Sequence, residues 1–142
     1  MTAERGLLDT NIVILLPRLT DVSALPRVPL ISAITLAELS AGALIAMDDL
    51  ERAARQAELQ EAETSFETLP FDADAARAYG QVAGSLRRSG RKGASRTYDA
   101  MIAAVAIANE LALFTCNPRD FEGIDDLIVV TIPHPDADES RT

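Results

Sequence analysis

Short apolar runs alternate along the chain with longer segments in which apolar residues recur at helical spacing. Gly6-Leu7-Leu8, Leu30-Ile31-Ser32, Ala112-Leu113-Phe114-Thr115 and Ile128-Val129-Val130-Thr131 have strand length and composition. Between them the pattern predicts helices. A short helix over 12–16 would be capped by Thr10 or Asn11 and stopped by Pro17. A Leu- and Ala-rich helix follows over 35–46, and a polar one over 48–65. The stripe of the polar helix, Leu50, Ala53, Ala54 and Ala57, is weak, which predicts one exposed or docking side. Asp72 is placed to cap a helix reaching about Arg88. The segment 97–110 is apolar nearly all round and therefore reads as a buried helix. Thr68-Leu69-Pro70-Phe71 reads as a short extended piece, 89–96 as a loop, and the tail from Pro133 as polar and frayed.

Strands alternating with helices imply an α/β fold, with a mainly parallel sheet flanked by helices as an α/β/α sandwich. Residues 1–132 would form one domain and 133–142 a tail. In parallel sheets, sites lie at the carboxyl ends of the strands. Asp9 stands at such an end, inside the otherwise apolar stretch L-L-D-T-N-I-V-I-L-L.

Composition narrows the function. The 142 residues are 48% hydrophobic, enough for a core and too apolar for disorder. Cys116 is the single cysteine, so no intrachain disulfide can form. No secretory leader is evident, and the longest apolar run, 100–108, is too short to span a bilayer. The expected location is cytoplasmic. The net charge of −9 argues against a protein that coats nucleic acid, since phosphate contacts require basic residues. It leaves room for an enzyme whose metal ions neutralise an acidic pocket.

Further acids fall at neighbouring strand ends. Glu38 lies in I-T-L-A-E-L, Asp99 in Y-D-A-M-I-A-A-V-A, and Asn117 and Asp120 in T-C-N-P-R-D-F. Each has a bland reading. Asp9 suits a strand-end turn or a cap. Thr35 and Glu38 match a capping box. Asp99 complements a helix dipole, and Asp120 suits the turn after Pro118. The weight comes from their gathering at one sheet edge, where carboxylates stay ionised together only if a cation joins them. All-oxygen donors favour Mg²⁺ or Mn²⁺, which suits hydrolysis of a phosphodiester.

These residues resemble the PIN-domain ribonucleases, of the kind that forms the toxin half of VapBC toxin–antitoxin pairs. The resemblance runs from Gly6 to Thr131 through L-L-D-T-N-I, I-T-L-A-E-L, Y-D-A-M-I-A-A-V-A-I-A and T-C-N-P-R-D-F, in that order. It implies a PIN-like fold and a Mg²⁺- or Mn²⁺-dependent endoribonuclease. It further implies a homodimer, and an antitoxin of VapB type that occupies the acidic site in a heterotetramer or larger assembly. Asp9, Glu38 and Asp99 align with the family's main acids. Asp120 is carried as the fourth, with Asn117 as a weaker contributor, and both metal-binding and catalytic roles fall to these acids. Thr10, Asn11 and Thr115 are the expected polar supports.

The basic residues Arg87, Arg88, Arg91, Lys92 and Arg96 precede Asp99 and could hold RNA phosphates, although a solvated helix end explains them equally well. Replacing Arg91 and Lys92 with alanine should weaken RNA binding and flatten its salt dependence. An unchanged salt slope removes this loop from the interface. Rival functions are a DNA-directed nuclease and a catalytically weak module that binds a basic partner through its acidic cleft. An aspartate-nucleophile phosphatase is disfavoured, because the position of its second aspartate holds Asn11. Histidine acid–base catalysis is disfavoured because His134, the only histidine, lies in the tail and reads as a solvated residue. Cys116 lacks a histidine partner and reads as packing.

Overall fold

The computed structural model describes residues 4–90 and 96–136. The chain runs β1 (Arg5–Leu8), α1 (Thr10–Leu15), two 3₁₀ turns (Leu16–Arg18, Val22–Ala24), β2 (Val28–Ser32), α2 (Ala33–Leu44) and α3 (Asp49–Ser65). It continues through β3 (Glu67–Leu69), α4 (Ala73–Arg88), α5 (Thr97–Ala108), β4 (Ala112–Thr115), a 3₁₀ turn (Pro118–Phe121) and β5 (Val129–Thr131). The described strands form one five-stranded sheet in the order β3-β2-β1-β4-β5, with every pair parallel.

Alternation along each strand divides the core into two layers. Leu7, Leu30 and Leu113 face α4 and α5, against Ala75, Val82, Ile102 and Val105. Leu8, Ile31 and Phe114 face the other way, onto Ile12 of α1, Leu39 of α2 and Ala62 of α3. Helices on both faces make the expected α/β/α sandwich. As its composition predicts, α5 is buried almost all round, at Ala100 and from Ile102 through Ala106.

Gly6 is set by packing. A Cβ there would lie 2.4 Å from Phe114 Cε1 and 3.0 Å from Pro26 Cγ. Gly6→Val should destabilise the fold by roughly 2–3 kcal/mol through overpacking. A denaturant melt with an unshifted midpoint would refute this.

Several elements differ from their sequence expectation. The extended piece at 68–71 contributes a fifth strand, β3, with Ile31 opposite Thr68 and Ser32 opposite Leu69. At three residues on the sheet edge, β3 carries too little pattern to announce itself. Helix α1 begins at Thr10, because Asp9 itself is the cap and accepts from the Thr10 backbone N–H. Helix α2 begins at Ala33, because the Ser32 hydroxyl accepts from Thr35 N–H at 3.2 Å. The capping-box reading of Thr35 and Glu38 therefore fails. On α3 the expected stripe faces outward, with Leu50 84% exposed. The inner side is Glu51, Arg55, Leu59 and Ala62, a register that hydropathy alone would not select. His134 is not simply solvated: it is half-buried, and its Nδ1 accepts from Asp136 N–H at 3.1 Å.

Candidate active site

The strand order reverses between β1 and β4: successive strands run outward from β1 to β3, and the chain then returns to β4 on the other side of β1. Such a switch point leaves a crevice at the carboxyl ends of the two strands. Asp9 follows β1, and Thr115, Asn117 and Asp120 lie at or just beyond the end of β4. Glu38 reaches the same edge from α2, and Asp99 from the first turn of α5.

Asp9 is only 3% exposed. Its Oδ1 accepts from Thr10 N–H at 2.8 Å, and its Oδ2 accepts from the Thr115 hydroxyl, also at 2.8 Å. The Asn117 backbone N–H donates to Thr115 Oγ1 at 3.0 Å, which turns the hydroxyl proton toward Asp9. These bonds favour the carboxylate, yet burial prevails, aided by repulsion from Glu38 and Asp120, and the carboxyl is pushed up to about 6. Asp99 is half-buried and goes higher, to about 7. Burial is the main cause, followed by the charges of Asp9, Asp120 and Glu38, while Arg96 opposes the rise.

Glu38 is held through a hydroxyl relay. Thr10 Oγ1 donates to Glu38 Oε1 at 2.8 Å and stands 2.9 Å from Thr35 Oγ1. Thr10 has one hydroxyl proton and gives it to Glu38, so Thr35 is the donor to Thr10. Thr35 is fully buried, and the cap reading missed this role. The available signal was spacing, since Thr35 and Glu38 are three apart on one helix and share a face.

The other predicted residues divide. Asp120 is half-buried, with Oδ1 3.8 Å from Arg96 Nη1, and that same nitrogen donates to the Arg119 carbonyl at 3.0 Å. Asp120 acts on both Asp9 and Asp99. Asn117 contributes its backbone, and Asn11 makes no hydrogen bond to these acids among the described residues. Arg96 belongs to the acidic site. Arg88 turns away to Asp125 at 3.2 Å, and Arg87 is exposed in the last turn of α4. Arg91 and Lys92 lie outside the described residues. Cys116 is buried, and burial followed by the charge of Asp9 pushes its thiol up, away from the reactive thiolate.

Among the described residues, no three acid, histidine or cysteine side chains stand in a formed metal-ligand cluster. What the acids share is a field. Burial raises Asp9 and Asp99 first and the neighbouring acids raise them further, with Arg96 the cation that opposes the rise at Asp99. A cation-binding, all-oxygen donor set fits that arrangement on electrostatic grounds.

The parallel sheet with acids beside its switch point defines an α/β protein with an acidic crevice, and comparison narrows it. The PIN domain family model matches residues 7–127, and the chain belongs to that family. Its likeness runs to VapC-type members. It is 38% identical over 133 residues to Ribonuclease VapC5 of Mycobacterium tuberculosis, covering 92% of this chain and 96% of the relative. Among solved structures, VapBC-5 of the toxin–antitoxin family from M. tuberculosis aligns with a TM-score of 0.77 at 32% identity, covering 91% of this chain and 99% of that one. VapBC2 from Rickettsia felis, bound to a promoter DNA fragment, aligns with a TM-score of 0.75 at 26% identity, covering 90% and 98%.

Proposed function

We propose that the protein is the ribonuclease toxin of a VapBC-type toxin–antitoxin pair and cuts RNA at the site formed by Asp9, Glu38, Asp99 and Asp120. What supports this is the likeness to Ribonuclease VapC5 over nearly the whole chain, together with the hydrogen bonds that hold Asp9 and Glu38, from distant parts of the chain, at one switch point. Those acids would hold a Mg²⁺ or Mn²⁺ ion, which supplies charge neutralisation at the scissile phosphate and activation of a water. The chain's own part is orientation. Thr10 N–H and the Thr115 hydroxyl hold the two oxygens of Asp9 in place. Thr10 Oγ1 holds Glu38 Oε1, and the other oxygen of Glu38 can accept from the attacking water. Arg96, at the rim, offers further N–H donors to a neighbouring phosphate.

The partner follows from the relatives and from surface chemistry. A basic antitoxin segment complements a chain of net charge −9. An apolar cavity of ≈ 480 Å³ between α1 and α3, lined by Val13, Leu16, Ala57 and Phe66, offers its apolar side chains a seat. Leu44, Ile45, Met47 and Leu50 add an exposed apolar patch suited to assembly, including a homodimer. No helix among the described residues is long and apolar enough to cross a membrane, and we place the pair in the cytoplasm.

The test is cleavage of a mixed RNA pool by antitoxin-free protein, with Mg²⁺ or Mn²⁺ and with EDTA, alongside Asp99→Ala and a matched DNA pool. Discrete metal-dependent RNA cuts, absent in the variant, are expected. Cuts confined to DNA would reassign the substrate. A folded protein that neither cuts nor binds metal would make the cleft a partner-binding surface.

A further inference from the structure

A second cavity, of ≈ 340 Å³, opens beside the acids and takes no part in the chemistry above. Thr10 and Glu38 form its inner wall, so it is continuous with the proposed cleavage site. Its outer walls come from α1, α2 and α3. We propose that this cavity binds one nucleotide flanking the cleaved bond, with Arg55 holding a phosphate and Glu58 and Asn11 reading the base. The proposal rests on the ribonuclease reading and adds where its sequence preference arises.

The lining has the chemistry of a nucleotide. Ile14 supplies apolar surface for a base face. Among the described residues the Asn11 amide makes no hydrogen bond, which leaves a donor and an acceptor for a base edge. The Glu58 carboxylate accepts from amino groups, which cytosine presents on its edge and uracil does not. The volume falls at the small end of ligand clefts, roughly 300–1,000 Å³.

Arg55 is built into place. Its Nη1 donates to the Gly42 carbonyl at 3.2 Å, and its Nη2 lies 2.6 Å from Glu51 Oε1. A guanidinium has about five N–H donors, so these two contacts leave the rest for a phosphate. Glycine inside a helix is unfavourable relative to alanine, yet α2 carries Gly42 where Arg55 lies. A Cβ at that position would stand 3.2 Å from Arg55 Nη1, closer than packing normally allows. Gly42 thus leaves room for the guanidinium against α2, where Arg55 lines the cavity.

An alternative occupant is an antitoxin side chain, and one experiment separates the two. Cleavage sites in a random-sequence RNA pool are mapped by sequencing for wild type, Glu58→Gln, Arg55→Met and Gly42→Ala. KM is measured at several salt concentrations, and thermal melts verify folding. Glu58→Gln should shift the base preference at one position beside the cut by about fivefold or more. Arg55→Met should raise KM about tenfold and reduce the salt slope by about one. Gly42→Ala, which favours the helix, should raise KM by a smaller factor. Folded variants with wild-type maps, KM and salt slope overturn the proposal while leaving the ribonuclease reading intact. Unchanged maps, with binding of the co-purified antitoxin weakened when it is measured on the same variants, assign the cavity to the partner and also overturn it. A folded wild type that cuts no RNA removes the ribonuclease reading and this inference together.

Discussion

Asp99→Asn should abolish RNA cleavage and, at the same time, make the metal-free protein more stable. Losing one acid of the shared site should lower the rate by about a hundredfold or more. The stability gain follows from linkage. Asp99 titrates at about 7 in the folded chain and Asp9 at about 6, both above the usual 3.8. Between those values the folded state holds more protons than the unfolded state, so stability falls as pH rises. The penalty is absent below the unfolded pKa and fully present above the folded one. Wild type in EDTA should therefore melt at a lower temperature at pH 8 than at pH 5. Asp99→Asn should recover roughly 1–2 kcal/mol at pH 8, discounted for a half-buried position, or about 3–6 °C in Tm. Melts across this pH range decide it. A variant no more stable than wild type at pH 8 would mean that burial and the neighbouring acids do not penalise the Asp99 carboxylate as described.

Thr115→Val should lose activity for the opposite reason, by damaging the structure that holds Asp9. Thr115 is fully buried, and its hydroxyl both donates to Asp9 Oδ2 and accepts from Asn117 N–H. Valine keeps the shape and removes both bonds, leaving buried groups unpaired at a cost of about 1–3 kcal/mol. Cleavage should fall about 10- to 100-fold, as for residues that orient a metal ligand. The Thr115 bond lowers the Asp9 pKa, so its loss should move the acid limb of the pH–rate profile upward. Thr115→Ser retains the hydroxyl and should restore most of the rate and the profile. Wild-type activity in Thr115→Val would remove Thr115 from the positioning machinery. The two variants thus lose activity with stability changes of opposite sign, which separates an acid kept for function from a hydroxyl kept for geometry.

Much of this was legible in the linear chain because its signals are local. Strand runs, helical periodicity and the position of Asp9 after an apolar run need only neighbouring residues. β1, β4, α4 and the burial of α5 followed directly, and the acids could be proposed because each sits next to a recognisable element end. Where two local readings competed, sequence could not choose between them. Thr35 and Glu38 fit a capping box as well as a site, and Ser32 turned out to take the cap. Asp9 suits a turn, a cap or a site by sequence, and in the fold it caps α1. The face that α3 turns inward could not be read from hydropathy, because its first inner residues are Glu51 and Arg55, which are held by polar contacts to each other and to α2.

Residue type and period therefore established an α/β sandwich with acids at strand ends and set the chemistry those acids could perform. Tertiary structure decided which atoms meet. The Asp9–Thr115 bond joins residues 106 apart, and the Thr10–Glu38 bond joins residues 28 apart. Those pairings exist only because the reversal of strand order sets β4 beside β1 and packing brings α2 against α1. Hydropathy records whether a residue will be buried. It carries no information about which hydroxyl will face which carboxylate, because that depends on the packing of distant segments.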